Sequence, residues 1–247
     1  MKEEPVRIAM WSGPRNISTA LMRSFEARGD TAVVDEPFYA AYLYRTGLDH
    51  PMREEVIASQ AIDPNEIEQM LVGPVPRNAA VWYQKHMTLH MLPDFPLDWM
   101  AHMRNAFLIR HPRAVLASYA LKRSAVTALD IGFVQQRELF EREADRLGAA
   151  PPVIDAADVL EDPAATLERL CAALEIPYTP SMLQWPAGRR ATDGVWAPAW
   201  YRSVERSTGF EPQRPTLDAA LPPHLRALAD EAQPHYEALR SHRLSAG

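Results

Sequence analysis

The sequence predicts a three-layer α/β domain, a parallel sheet with helices on both faces. Two observations carry this. Short apolar runs at 6–11 (VRIAMW), 31–34, 79–83, 107–109 and 152–154 have strand length, and the first two run into turn residues. Between them lie segments whose apolar residues recur at helical spacing. Strands that alternate with helices imply crossover connections, hence parallel strands buried on both sides.

The first run ends in Ser12-Gly13-Pro14. From Ser18, the residues Ala20, Leu21, Met22, Phe25 and Ala27 trace a helix that closes near Gly29. The second run ends in Asp35-Glu36-Pro37. Asp63-Pro64 starts a short helix over 65–71. The fourth run meets His111-Pro112, which opens a helix carrying Val115, Leu116, Tyr119 and Leu121. A long amphipathic helix spans 133–147. After the fifth run, Asp162-Pro163 caps a helix through Leu167, Leu170 and Leu174. The tail from His224 to Leu239 is helical, and Pro234 is expected to kink or split it. Prolines are spread along the chain with no Gly/Ser linker or repeat, so residues 1–247 read as one domain, with a C-terminal lid and helical segment from about 180.

Composition narrows the function. Apolar residues at 47% and charged residues at 23% exclude a disordered chain. The net charge of −6 disfavours a general binder of nucleic acid or anionic membrane, but permits a local basic pocket. One cysteine, Cys171, allows no internal disulfide and reads as core. The first residues lack a secretory apolar run, and no stretch is long enough to span a bilayer, so a soluble, cytoplasmic protein is expected.

In parallel sheets, ligands sit beyond the C-terminal strand ends. The segments SGPRNIST, DEPF, QKHM and RHPR fall there. In the first, backbone N–H groups and a helix dipole can face an anion, with Arg15 adding charge and Ser18 and Thr19 hydroxyls; the bland reading is a turn capped by Ser18. A Walker A loop is excluded, because Ile17 and Ser18 occupy its glycine and lysine positions. That counts against an ATPase or a conventional kinase. In the last segment, Arg110 lies at a strand end and Ser118 two helical turns further, followed by Lys122-Arg123. Together they can hold a phosphate; alone, they are a solvated arginine and a helix serine. Glu36 at a strand end can serve as a general base, or Asp35 or Glu36 can simply cap a helix. His86 and His90 have zinc-like spacing but lack a telling third ligand.

The stretches PRNISTAL and LIRHPRAVLASYALKR resemble the paired signatures of sulfotransferases that use 3′-phosphoadenosine 5′-phosphosulfate (PAPS). That family has a P-loop-type three-layer sheet. The closest resemblance is to uncharacterised bacterial sulfotransferase-like proteins. Pro14, Arg15, Ser18 and Thr19 match the element that binds the 5′-phosphosulfate, with Asn16 and Ile17 inside the same loop. Ile17 departs from the family's glycine. Arg110, Pro112 and Ser118 match the element that binds the 3′-phosphate. Lys85-His86 is similar to the family's K-x-H segment, though one residue shorter. Asp35-Glu36-Pro37 is similar to the E-P segment of carbohydrate sulfotransferases, and 155–174 to the family's strand and D-P helix. Arg189, Arg190, Gly194 and Trp196 loosely echo the segment that closes over the 3′-phosphate.

The resemblance implies transfer of a sulfuryl group from PAPS to a hydroxyl or amine of a small-molecule acceptor, without a metal. Arg15, Asn16, Ile17, Ser18, Thr19, Arg110, Ser118, Arg189 and Arg190 would bind the nucleotide. Glu36 or His86 would take the acceptor proton, and Lys85 would assist the leaving group. A phosphotransferase or hydrolase on the same scaffold, or a non-catalytic nucleotide-binding module, are the competing readings.

Overall fold

The computed structural model describes residues 4–120, 126–211 and 221–245. Five parallel strands form one sheet in the order β2-β3-β1-β4-β5: β1 (Val6–Ser12), β2 (Thr31–Asp35), β3 (Val81–Met87), β4 (Arg104–Ile109) and β5 (Val153–Asp155). The helices are α1 (Ser18–Glu26), α2 (Tyr39–Thr46), α3 (Arg53–Ser59), α4 (Pro64–Val72), α5 (Pro112–Ala120), α6 (Ala128–Ile131), α7 (Phe133–Leu147), α8 (Ala156–Glu161), α9 (Pro163–Ala173), α10 (Ala197–Trp200) and α11 (Pro223–Arg240).

Alternation along β1 builds two cores. Ile8 and Met10 pack with Leu21, Met22 and Phe25 of α1 and Leu167, Leu170 and Cys171 of α9. Ala9 and Trp11 pack on the opposite face with residues of α4, α5, α7 and α11. Helices therefore cover both faces, as the strand–helix alternation predicts. Asp63 and Asp162 each accept a backbone N–H at the start of α4 and α9, and proline follows each of them.

Three expectations are corrected. β3 starts two residues later and runs to Met87, so Lys85 and His86 lie within a strand rather than beyond its end. Their charge reads as loop, yet all seven residues of β3 are buried. The C-terminal helix is not split at Pro234 but continues through it as one element. Both Pro234 and Asp230, whose carbonyl loses its N–H partner, are exposed, so water can satisfy that carbonyl. Ser18 is the first helical residue of α1 rather than its cap, and the N-cap Ile17 has no side-chain hydrogen bond. Leu121 and Lys122-Arg123 lie outside the described residues.

Candidate active site

Chain connections leave β1 and β4 in opposite directions across the sheet, which opens a crevice at their C-terminal ends. The loop after β1 supplies Arg15 and the loop after β4 supplies Arg110. Arg15 Nε donates to Ser118 Oγ at 3.0 Å, and Arg110 Nη1 donates to the Arg15 carbonyl at 2.6 Å. The Arg110 and Ser118 that the sequence spaced two turns apart line one cavity, but Ser118 is bonded to Arg15 rather than to Arg110. Asn16 braces the loop, its side-chain amide donating to the Leu108 carbonyl at 2.7 Å. Burial lowers both guanidinium pKa values, and the Arg15 charge lowers that of Arg110 further. Among the described residues neither has a carboxylate in salt-bridge contact. Two crowded, half-buried cations of this kind gain when an anion is placed between them.

The backbone here is strained. Arg15 has φ 57° and Ile17 φ 22°, in the left-handed region that costs a side-chain-bearing residue about 1–3 kcal/mol. Ile17 thus holds the kind of conformation glycine favours. The uncapped first-turn amides of α1 belong to the same wall, since Ser18, Thr19 and Ala20 all line the cavity.

That cavity, of about 660 Å³, extends from Arg15, Arg110 and Ser118 to Glu36 and Lys85. Residues of 200–211, including Trp200, Tyr201 and Phe210, form another wall. Glu36 has φ 44°, so the loop after β2 is strained as well. Lys85 spends its three N–H bonds on Asp35 Oδ1 at 2.9 Å, Glu36 Oε1 at 2.7 Å and Tyr201 Oη at 2.7 Å. Burial raises the Glu36 pKa; the Lys85 charge opposes this and Asp35 reinforces it. The Lys85 pKa lies well above its ordinary value, because the two carboxylates outweigh burial. A buried carboxylate on a cavity wall, less acidic than usual yet salt-bridged, suits a general base.

The structure separates three expected residues from this cavity. His86 points to the opposite face of the sheet from Lys85. Its ring lies 4.6 Å from that of Trp11 and 5.0 Å from that of Trp99, and its Nε2 meets Gln84 Oε1 at 3.3 Å. Burial pushes its pKa down to about 3. Arg189 is exposed, and Arg190 Nη2 donates to the Pro186 carbonyl. Neither lines the cavity. The loose match in their segment carries different information. Asp193 pairs with the buried Arg23 at 2.8 Å, Gly194 N–H donates to Asp35 at 3.2 Å, and Trp196 Nε1 donates to Tyr201 Oη at 3.0 Å. His90 stacks on Tyr39 at 4.6 Å, away from His86's aromatic surroundings. Among the described residues no cluster of three His, Cys, Asp or Glu could hold a metal. Asp35 and Tyr201 are parts of the site that the sequence did not mark, because Lys85, which holds both, reads there as a loop residue.

The placement of His86 has a pH signature. In the unfolded chain its imidazole protonates near pH 6.5, whereas the folded protein keeps it neutral to about pH 3. The unfolded state therefore binds the extra proton in that window. Stability drops by about 1.4 kcal/mol per pH unit from this group as pH falls below 6.5. His86→Phe should lose less stability than the wild type between pH 7 and pH 5 in urea titrations. Equal losses would contradict the buried neutral ring.

A family model described as the sulfotransferase domain matches residues 6–243. The chain belongs to the sulfotransferase domain family. The resemblance carried by the stretches at 14–21 and 108–123 is thereby shown. Two Arabidopsis thaliana proteins, named branched-chain-amino-acid aminotransferase-like proteins 1 and 2, are 38% and 37% identical over 240 residues. The alignments cover 97% and 95% of this chain but 42% and 41% of theirs, so the chain spans less than half the length of these curated relatives. Among solved structures, a sulfotransferase from Alicyclobacillus acidocaldarius superposes with TM-score 0.55 at 13% identity, covering 98% of each chain. A mouse sulfotransferase complexed with PAP gives 0.54 at 11% identity, covering 94% of this chain and 84% of that one. The sulfotransferase domain of the curacin biosynthetic pathway gives 0.51 at 18% identity, covering 98% and 99%. These likenesses show a shared fold. Among the described residues no helix is long and apolar enough to cross a membrane.

Proposed function

We propose that the chain transfers a sulfuryl group from PAPS to a hydroxyl or amine of a small-molecule acceptor. The observation that carries this reading is the pair Arg15 and Arg110. They are half-buried, Arg15 bonds Ser118 and Arg110 bonds the Arg15 carbonyl, and both open on the same cavity as Glu36. Arg15, Ser18, Thr19 and the first-turn amides of α1 would hold the 5′-phosphosulfate. Arg110 and Ser118 would hold the 3′-phosphate. The mouse structural relative, which was solved with PAP (3′-phosphoadenosine 5′-phosphate), supports a nucleotide of this kind.

The acceptor oxygen or nitrogen attacks sulfur in line. The bond from sulfur to the 5′-phosphate oxygen breaks and the acceptor–sulfur bond forms. Glu36 takes the acceptor proton, and PAP leaves. Positioning and charge stabilisation carry most of the catalysis, as in phosphoryl transfer. Lys85 acts through Glu36, since its N–H groups are already engaged.

PAP should raise the melting midpoint of the protein, and AMP should raise it less, because a ligand that binds only the native state stabilises it. The PAP effect should persist in excess chelator, since the proposed contacts are arginine, hydroxyl and amide donors. Equal shifts from PAP and AMP would remove the 3′-phosphate site, and a strict magnesium requirement would favour a phosphotransferase instead.

A further inference from the structure

Tyr201 sits on the segment that lines one wall of the cavity, 116 residues from Lys85 in sequence. Its hydroxyl is saturated. It donates to Asp35 Oδ2 at 2.7 Å and accepts from Lys85 Nζ at 2.7 Å and from Trp196 Nε1 at 3.0 Å. Asp35 thereby has Lys85 on one oxygen, and Tyr201 and the Gly194 amide on the other. Glu36 has Lys85 on Oε1 at 2.7 Å, and the Tyr201 hydroxyl also favours its ionised form. How strongly Lys85 serves Glu36 then depends on how well Asp35 is satisfied by its other donors.

We propose that Tyr201 is a positioning residue for Glu36: by satisfying Asp35 and bracing Lys85, its hydroxyl leaves the ammonium shared between both carboxylates and keeps Glu36 ionised on the cavity wall. The inference rests on the reading of Glu36 as the base. It makes base strength depend on the docking of the Asp193–Tyr201 stretch, whose Gly194, Trp196 and Tyr201 all converge on this network. Asp35, Lys85 and Tyr201 bear on Glu36 directly, and Tyr39 feels its charge; His50 and His90 line the same cavity and Arg15 its far end. Without the hydroxyl, Asp35 competes harder for Lys85, and Glu36 holds its proton to higher pH.

The test needs neither nucleotide nor acceptor. The 247-residue chain carrying carboxyl-¹³C glutamate is titrated by NMR, and the Glu36 resonance is assigned by its loss in Glu36→Gln. In Tyr201→Phe, which keeps the ring and removes only the hydroxyl, the Glu36 midpoint should rise by about half a pH unit or more. Trp196→Phe, which removes one donor to that hydroxyl, should move it less and in the same direction. It decides the matter if Tyr201→Phe does not fold. A folded Tyr201→Phe protein with an unmoved midpoint overturns the proposal. Failure of PAP binding would instead overturn the sulfotransferase reading and leave this titration result standing.

Discussion

Lys85→Met should destabilise the protein by about 3–5 kcal/mol at pH 7, the cost of stranding a buried charge when its partner is removed. Lys85 is 1% exposed and neutralises two carboxylates that are themselves buried, Asp35 and Glu36. Methionine fills much the same volume but offers no charge and no donor. The loss should shrink as pH falls, because protonating the stranded carboxylates removes the uncompensated charge. Urea midpoints at pH 7 and pH 5 measure both effects. A variant as stable as the wild type at pH 7 would mean that the ion pairs contribute nothing there.

Glu36→Gln should slow sulfuryl transfer by roughly 10²-fold or more, the lower range for losing a positioned general base. PAP affinity should stay the same or improve slightly, since the carboxylate repels an anion. This separates the base from the binding residues. In the wild type the acid limb of the transfer rate should lie above the ordinary carboxylate range, because burial raises the Glu36 pKa. Below that limb the carboxyl is protonated and cannot accept the acceptor's proton. The rate is measured in single turnovers once an acceptor screen has supplied a substrate. Wild-type turnover by Glu36→Gln would remove Glu36 from the mechanism.

Much of the scaffold was legible because its signals are local. The helix Phe133–Leu147 follows directly from apolar periodicity, and Asp-Pro pairs mark the starts of two others. The arginine end of the cavity was legible for a similar reason. Arg15 and Ser18 sit in one strand–helix junction, and Arg110 and Ser118 in another. The Lys85 end was not, because its logic is tertiary. Lys85 looked like a loop residue until Asp35, Glu36 and Tyr201 neutralised it inside a strand. His86 looked like a catalytic histidine, and strand alternation sends it to the aromatic box on the other face. Arg189 and Arg190 matched by type and order, but in the fold they lie apart from the cavity that Arg110 lines.

Calorimetric titration of PAP into the wild type and into Arg110→Ala tests whether the crevice between β1 and β4 holds the nucleotide. Arg110 should grip the 3′-phosphate, so the variant should bind PAP more weakly by about 1.5–3 kcal/mol, the range for hydrogen bonds to charged groups. AMP, which lacks that phosphate, should bind both proteins alike. Undiminished PAP binding by Arg110→Ala would contradict the assignment of the crevice between β1 and β4 as the nucleotide site.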